Sequence, residues 1–333
     1  MYINRYLSPI IVYYYSWRMV LFSIATGTTA ILVYDYLDWK WVAIPWLPVS
    51  LVGTATAFFV GFKNNQSYDR SWEARKVWGA ITNNSRSFSA AVRSFTTCSA
   101  DSDNIYAAKE NRIIIHRHIA WLYALKNTMT QRTSWEHKDR ASERQRKAFR
   151  RSQVPCDVEI AKYLPEAELA VIKDKKNQAT QILDLQSQHI RDLRRAGSLD
   201  PYQHVALQDL IAKLYDEQGK SERIKNTPFP RQYATTSTLF IFIFMTLLPF
   251  GLLPQFVDLG EKYMFLLIPF NMIVSWVFMF MEYVGDISEN PFEGLLNDTP
   301  ISTIIRNIEI DLIEMLGDAD LPPKLASYSG TLF

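Results

Sequence analysis

Apolar residues gather in long runs toward the two ends of the chain, and charge fills the stretch between them. Residues 19–37 form an apolar stretch about as long as a helix needs to cross a bilayer. Asp35, Asp38, Trp39, Lys40 and Trp41 at its far end read as an interfacial anchor. A second run opens with Pro45 and Pro48, which a first helical turn tolerates, and carries no charge from Trp46 to Phe62. This run is somewhat short for a lone span and is rich in Gly53, Thr54, Ala55, Thr56 and Ala57. Small residues let helices approach closely in lipid, so it is predicted to lie inside a bundle or oligomer. Past Phe62 the chain turns to Lys63, Asn64, Asn65, Asp69, Arg70, Glu73 and Arg75 while keeping Tyr68, Trp72 and Trp78. No proline follows Pro48 in this region, so one helix is predicted to begin in the membrane and end in water.

Residues 63–230 keep a local apolar periodicity, as in Ile113, Ile114, Ile115, Ile119, Leu122 and Leu125, which predicts amphipathic helices packed on one another. Pro165 with Glu166 and Glu168 starts one helix, and residues 179–195 have helical spacing. Asp200-Pro201 caps another from Tyr202 to about Gln218, with Gly219 as its predicted stop. Thr227-Pro228-Phe229-Pro230 marks re-entry into an apolar phase. Residues 233–257 then form a third span, expected to be broken at Pro249 and Pro254 around Gly251. Residues 263–283 form a fourth, with Pro269 inside and Glu282 near its end. An amphipathic stretch and a loosely ordered tail complete the pattern. No strand-like alternation is convincing.

The expected fold is therefore all-α and integral to a membrane, with four transmembrane helices and a large helical cytosolic portion. Its divisions are 1–62 (spans one and two), 63–232 (cytosolic helical domain), 233–283 (spans three and four) and 284–333 (cytosolic C-terminal helix and tail). Lys63, Arg70, Arg75, Lys76 and Arg86 follow span two and Arg231 precedes span three, whereas the opposite turns carry only Lys40 and Lys262 against Asp35, Asp38, Asp258 and Glu261. By the positive-inside bias both termini lie in the cytoplasm, and the chain is a multi-pass protein of the cell (inner) membrane. No cleavable signal peptide is expected.

Composition adjusts this picture only slightly. Mean hydropathy is -0.09, an average that hides the segregation of apolar and charged stretches. Aromatics reach 14% and crowd the ends of apolar runs, as interfacial belts do. A net charge of +2 gives no bulk attraction to nucleic acid, which is not an expected partner. Cys98 and Cys156 are too few for a disulfide framework and read as thiols of a reducing compartment. His116 and His118, two apart on a helix, point to different faces and make poor joint metal ligands. His137, His189 and His204 have no carboxylate or Cys at ligand spacing and read as solvated or capping residues. No phosphate loop, nucleophile elbow or HExxH motif occurs, so neither enzyme activity, cofactor nor metal is expected. The basic run 131–151 (Arg132, Lys138, Arg140, Arg144, Arg146, Lys147, Arg150, Arg151) is interleaved with Glu136, Asp139 and Glu143 and reads as a solvated helix face. Its other readings are a surface for anionic lipid headgroups or nucleic acid, or a charged cytosolic pore mouth that sets local ion concentration.

Thr54, Phe58 and Phe62 are spaced i, i+4 and i+8, and so line one stripe of a helix that Ser50 and Asn65 extend. Spacing alone leaves two readings open. The stripe is either core against a neighbouring helix or an apolar ring on a symmetry axis that gates by dewetting.

Residues 61–79, GFKNNQSYDRSWEARKVWG, closely resemble the signature of the bacterial bestrophin-like channels. KSERIKNTPFPRQY (220–233) resembles that family's entry into its third span, and Glu289-Asn290-Pro291-Phe292 resembles the segment after its fourth. The resemblance implies a homopentameric channel around one central pore, whose partners are other copies of the chain, the lipid bilayer and permeant monovalent ions. Chloride or another anion is the implied ion, with a monovalent cation such as sodium as the alternative. It also implies a neck at Thr54, Phe58 and Phe62 and a lower cytosolic aperture at Tyr202 or Val205, while the polar residues that follow the stripe, Lys63, Asn64 and Asn65, read as the mouth of the pathway. Thr54 is hydroxylic where relatives carry an aliphatic residue. In the acidic run that forms a calcium clasp in animal members, one carboxylate is replaced here by Leu295 and only Asp298 stays in register. Calcium gating is therefore not carried over. A reading from another class is a membrane-anchored scaffold or sensor that conducts nothing.

Overall fold

A computed structural model describes residues 1–95, 101–151, 154–327 and 330–332. Among the described residues the helices are α1 (Pro9–Asp35), α2 (Trp46–Phe95), α3 (Asp101–Thr130), α4 (Arg140–Arg151), α5 (Cys156–Tyr163), α6 (Glu166–Lys173), α7 (Gln178–Arg195), α8 (Pro201–Asn226), α9 (Arg231–Asp258), α10 (Leu267–Ile287) and α11 (Ile301–Met315). The described residues contain no strand, only an isolated antiparallel bridge between Tyr2 and Thr331. Two compact units result, an apolar one (Asn4–Arg70 and Phe229–Glu289) and a polar one (Met1–Ile3, Ser71–Pro228 and Asn290–Phe333). Helix α2 is continuous and contributes its first half to the apolar unit and its second half to the polar unit.

In the apolar unit, four helices are long and apolar enough to cross a membrane. Helix α1 starts ahead of residue 19, because Pro9 at its first position is preset for helical φ and the aromatic residues behind it continue the turn. It packs against α10 and α9. Buried Asn271 of α10 donates to the Ser23 carbonyl at 2.7 Å and to Thr26 Oγ1 at 3.2 Å, so the contact is held by a polar clasp among small residues. Helix α9 is not broken as expected: it runs through both Pro249 and Pro254. A packed bundle absorbs the two missing N–H groups that would end a helix in water. Gly251, between them, admits Val49 of α2 so closely that an added Cβ would lie 2.8 Å from that side chain. Gly260, at φ +111°, turns the chain into a 3₁₀ segment, Glu261–Leu266, that leads into α10. Pro269 falls in the first turn of α10, where its absent N–H costs nothing. Leu21, Leu51, Phe242, Phe270 and Ile273 remain exposed on the outside of this unit, as lipid-facing residues do.

The polar unit has one core, in which Trp78, Ile81 and Phe88 of α2 meet Ile114, Ile115, Ile119, Trp121, Leu122 and Leu125 of α3 and Ile182, Leu183 and Ile190 of α7. The apolar periodicity read around Ile113 is thus the buried face of α3, which packs against α5, α7, α8 and α11. Two of its buried polar groups are bonded across helices: Trp121 Nε1 donates to Gln218 Oε1 at 2.9 Å, and Tyr123 Oη donates to Glu309 Oε2 at 2.6 Å. Helix α8 does not stop at Gly219 but continues to Asn226. Ser221 and Ile224 bury the same face as Leu214 and Gln218, so packing overrides the weak propensity of one glycine. The tail also differs from expectation, since Leu332 N–H donates to the Met1 carbonyl at 2.8 Å and Ile3 N–H to the Gly330 carbonyl at 2.9 Å.

Candidate functional site

The first half of α2 has two faces. Val49, Gly53, Thr56, Val60, Lys63 and Ser67 are all buried and follow the alternating three- and four-residue spacing of a packed helix. Along another face, Phe58 and Phe62 are each 66% exposed, and Thr54 and Asn65 are exposed with them. These residues line an open groove of about 910 Å³, together with Ser50 and the rings of Phe244 and Phe278. The structure thus brings Thr54, Phe58, Phe62 and Asn65 together and leaves them without a covering helix in the protomer. Thr54 Oγ1 donates to the Ser50 carbonyl at 2.9 Å, and Ser50 Oγ to that of Leu47 at 2.8 Å. Their hydroxyl protons are spent along the helix, so this end of the stripe is less polar than its residue types suggest.

Two of the three expected mouth residues face elsewhere. Lys63 lies three residues past Val60, on the packed face, and is 2% exposed. Its Nζ sits 2.5 Å from Glu282 Oε1 and 3.7 Å from Asp286. Glu282 also accepts from Ser237 Oγ at 2.5 Å and from Thr238 Oγ1 at 3.2 Å. Asn64 donates to the Met281 carbonyl at 3.0 Å and lies so close to Gly285 that a Cβ there would sit 1.9 Å from its Oδ1. Only Asn65 continues the stripe. The pairing of Lys63 with Glu282 was missed in the sequence, although a lone carboxylate near the end of a span is a usable signal.

Charged residues of the 61–79 signature act as braces. In the apolar unit Arg70 Nε donates to the Glu289 carbonyl at 3.0 Å, and Arg231 holds the Glu289 carboxylate at 3.0 Å. In the polar unit Glu73 pairs with Arg223 at 2.5 Å, and Arg75 donates to the Asn297 carbonyl at 3.2 Å.

Tyr202 and Val205 belong to the polar unit, in the first turn of α8, and are 87% and 56% exposed. A capping box shapes this turn: Asp200 accepts from Gln203 N–H at 2.9 Å while the Gln203 side chain accepts from Asp200 N–H at 3.0 Å. Both side chains are therefore presented outward by a well-ended helix.

The histidines divide. His116 packs edge-on against Tyr163, while His118 is enclosed between Phe88 and Trp121, and burial alone pushes its pKa down to about 3. His137 and His189 are not solvated as expected. His137 Nδ1 lies 2.8 Å from Glu293, and His189 Nε2 lies 2.8 Å from Glu110. These carboxylates come from distant parts of the chain, so spacing could not reveal them. The 131–151 run is likewise not wholly a solvated face: Arg144 and Lys147 are exposed, but Arg146 is 6% exposed among Glu136, Glu143 and Glu293. Cys156 is half-buried, with its thiol pKa raised by burial, and Cys98 lies outside the described residues.

A calcium clasp does not fit these residues. Leu295 is buried and apolar, and the Asp298 carboxylate accepts the N–H groups of Phe292, Gly294 and Thr299, each at 2.7 Å. Among the described residues no three His, Cys, Asp or Glu side chains group around a metal position.

Four helices apolar enough to cross a membrane, with no strand among the described residues, mark a helical membrane protein whose α2 carries an uncovered aromatic stripe. The chain belongs to the bestrophin family: the profile described as Bacterial/Fungal Bestrophin protein matches residues 12–314. It is 30% identical over 278 residues to the voltage-dependent anion channel-forming protein YneE of Escherichia coli (strain K12), covering 84% of this chain and 79% of that one. It is 28% identical over 295 residues to the voltage-dependent anion channel-forming protein RSc3414 of Ralstonia nicotianae, covering 86% and 85% of the two chains. The crystal structure of a bacterial bestrophin homologue from Klebsiella pneumoniae shares the fold, with a TM-score of 0.76 at 24% identity over 91% of this chain and 98% of that one.

Proposed function

We propose that this protein is an anion channel of the cell membrane, assembled as a homopentamer in which α2 of each copy faces a central pore. The observation that carries the reading is the exposure of Phe58 and Phe62, each 66%, on a helix whose opposite face is packed. Large apolar side chains left uncovered in a row call for lipid or further copies of the chain as their cover. Five copies around an axis would turn Thr54, Phe58 and Phe62 into stacked rings. Such an apolar neck excludes water and conducts only when it widens, which makes it a gate. Aromatic edges carry partial positive charge and suit a small monovalent anion such as chloride better than a cation. The names of the Escherichia coli and Ralstonia relatives support the same ion sign.

In this arrangement, residues 63–232 and 284–333 form the cytosolic portion, with both termini in the cytoplasm, and the exposed first turn of α8 supplies a second constriction at Tyr202 or Val205. No catalysis is part of the reading. A cation-selective version of the same channel draws on one observation: Lys63 is neutralised by Glu282, so the polar residues following the neck are Asn65 and the exposed Asp69. Reversal potential in bilayers containing the purified protein, under asymmetric sodium chloride, separates the readings. A potential toward the chloride equilibrium value supports the anion channel, one toward the sodium value the cation channel, and the absence of any current the scaffold.

A further inference from the structure

The first half of α2 is held to its neighbours in two different ways. Val49 and Val60 on its packed face share an apolar cluster with Ile241, Phe244, Met245 and Leu248 of α9. The hydrophobic effect behind such a contact is non-directional, so it sets the rotation of α2 about its own axis only weakly. At Lys63 the contact changes kind. Lys63 Nζ lies 2.5 Å from Glu282 Oε1 of α10 and 3.7 Å from Asp286. Glu282 Oε2 accepts from Ser237 Oγ of α9 at 2.5 Å, and Oε1 accepts from Thr238 Oγ1 at 3.2 Å. Beside it, Asn64 donates to the Met281 carbonyl at 3.0 Å. One carboxylate therefore ties α2, α9 and α10 together at a single level of the apolar unit. Ionisable side chains are costly to keep within membrane helices, and hydrogen bonds to charged groups fix geometry as apolar contact does not.

This level coincides with one end of the aromatic stripe. Phe62 immediately precedes Lys63, about 100° away around the helix. Phe62 is 66% exposed and Lys63 only 2%. Any rotation of α2 that carries the Phe62 ring off its face carries Lys63 off Glu282 by the same angle.

We propose that Glu282 is a positioning residue of the channel: by holding Lys63 it fixes the rotation of α2 and keeps the Phe62 ring turned toward the pore axis. The proposal rests on the reading of Phe62 as part of the neck. Widening the neck by turning α2 has to break this tie, so a protein without it opens more readily.

The test is single-channel recording in planar bilayers of the purified wild type, Phe62→Ala, Glu282→Gln and the double variant. Open probability is read from channels that have folded and inserted, so lost stability alone does not move it. Glu282→Gln keeps the shape of the side chain but removes the charge that holds Lys63, and should raise open probability about fivefold or more. In the Phe62→Ala background the same change should add nothing, because the ring that it positions is gone. That comparison is made at a voltage where Phe62→Ala channels still close, so that a further rise would show. Ser237→Ala frees Glu282 from one bond to α9 while leaving both charges paired. It should act in the same direction with a smaller effect, and it carries the test if Glu282→Gln does not fold. Wild-type open probability in Glu282→Gln, or in Ser237→Ala where that variant stands in, overturns the proposal and leaves the neck in place if Phe62→Ala alters gating. Effects of Phe62→Ala and Glu282→Gln that multiply, as those of independent sites do, also overturn it. A Phe62→Ala protein that gates as the wild type does removes the neck, and the proposal with it.

Discussion

Helix α2 carries aromatic residues at helical spacing in both of its halves, and the two sets meet opposite surroundings. Trp78 and Phe88 are fully buried in the core of the polar unit, whereas Phe58 and Phe62 are each 66% exposed in the apolar unit. Periodicity identifies a face of a helix; it does not say what covers that face. In the second half the cover is the chain's own α3, whose Ile114 and Trp121 join the same core. In the first half it must be lipid, water or another copy. The largest effect is therefore expected in the second half. Trp78→Ala should cost about 3–5 kcal/mol, read as a large drop in melting temperature in detergent. A Trp78→Ala protein that melts like the wild type would remove one side of the contrast.

Next in size is the residue that sits between the two sets. Lys63 follows Phe62 directly yet lies on the packed face, paired with Glu282 at 2.5 Å. Removing one partner of a buried pair strands the other charge, so Lys63→Met should cost about 3 kcal/mol or more. Changing Glu282 to Gln in the same protein should restore much of that loss, because no charge is then left unpaired. A Lys63→Met protein of wild-type stability would return Lys63 to the mouth of the pore, where the sequence had placed it.

What could be read in the sequence depended on how local the controlling interaction is. The four spans were visible because each is a contiguous apolar run, and the passage of α2 from apolar to polar phase needed only the absence of proline. Pro249, Pro254 and Gly219 misled because their usual effect assumes an isolated helix, and here bundle or core packing overrides it. Lys63 was misplaced for a different reason: its charge suggested water, while its spacing from Val60 and Ser67 already placed it on the packed face. His137 with Glu293 and Arg75 with Asn297 join residues far apart in the chain, which no local pattern encodes. The stripe at Thr54, Phe58 and Phe62 was legible as a stripe. Its direction toward a pore came from the family resemblance, and its exposure came from the fold.

A smaller effect tests how closed the polar core is. His118 is neutral there, with its pKa pushed down to about 3 by burial from an ordinary value of 6.5. The unfolded chain takes up the proton below about pH 6.5 and the folded chain does not, so stability falls as pH drops from there toward about 3. Between pH 6.5 and pH 5 this amounts to about 2 kcal/mol. His118→Phe should flatten that part of the profile, measured as the difference between the two proteins' melting temperatures across the range. Parallel profiles would mean that His118 reaches water.

The smallest effect on stability belongs to the exposed set, and there the contrast with Trp78 is sharpest. Phe58→Ala and Phe62→Ala remove side chains that the protomer does not enclose, so unfolding within the protomer should shift by no more than about 0.5 kcal/mol. Conduction should respond the other way. Shortening an apolar ring widens it and lowers the barrier to wetting, so both variants should pass more current in planar bilayers and lose steepness of gating. Thr54→Ala should do less, because the Thr54 hydroxyl proton is already bonded to the Ser50 carbonyl. If Phe58→Ala and Phe62→Ala conduct and gate as the wild type does, these aromatics face lipid or another subunit's flank, and the neck lies elsewhere on the chain.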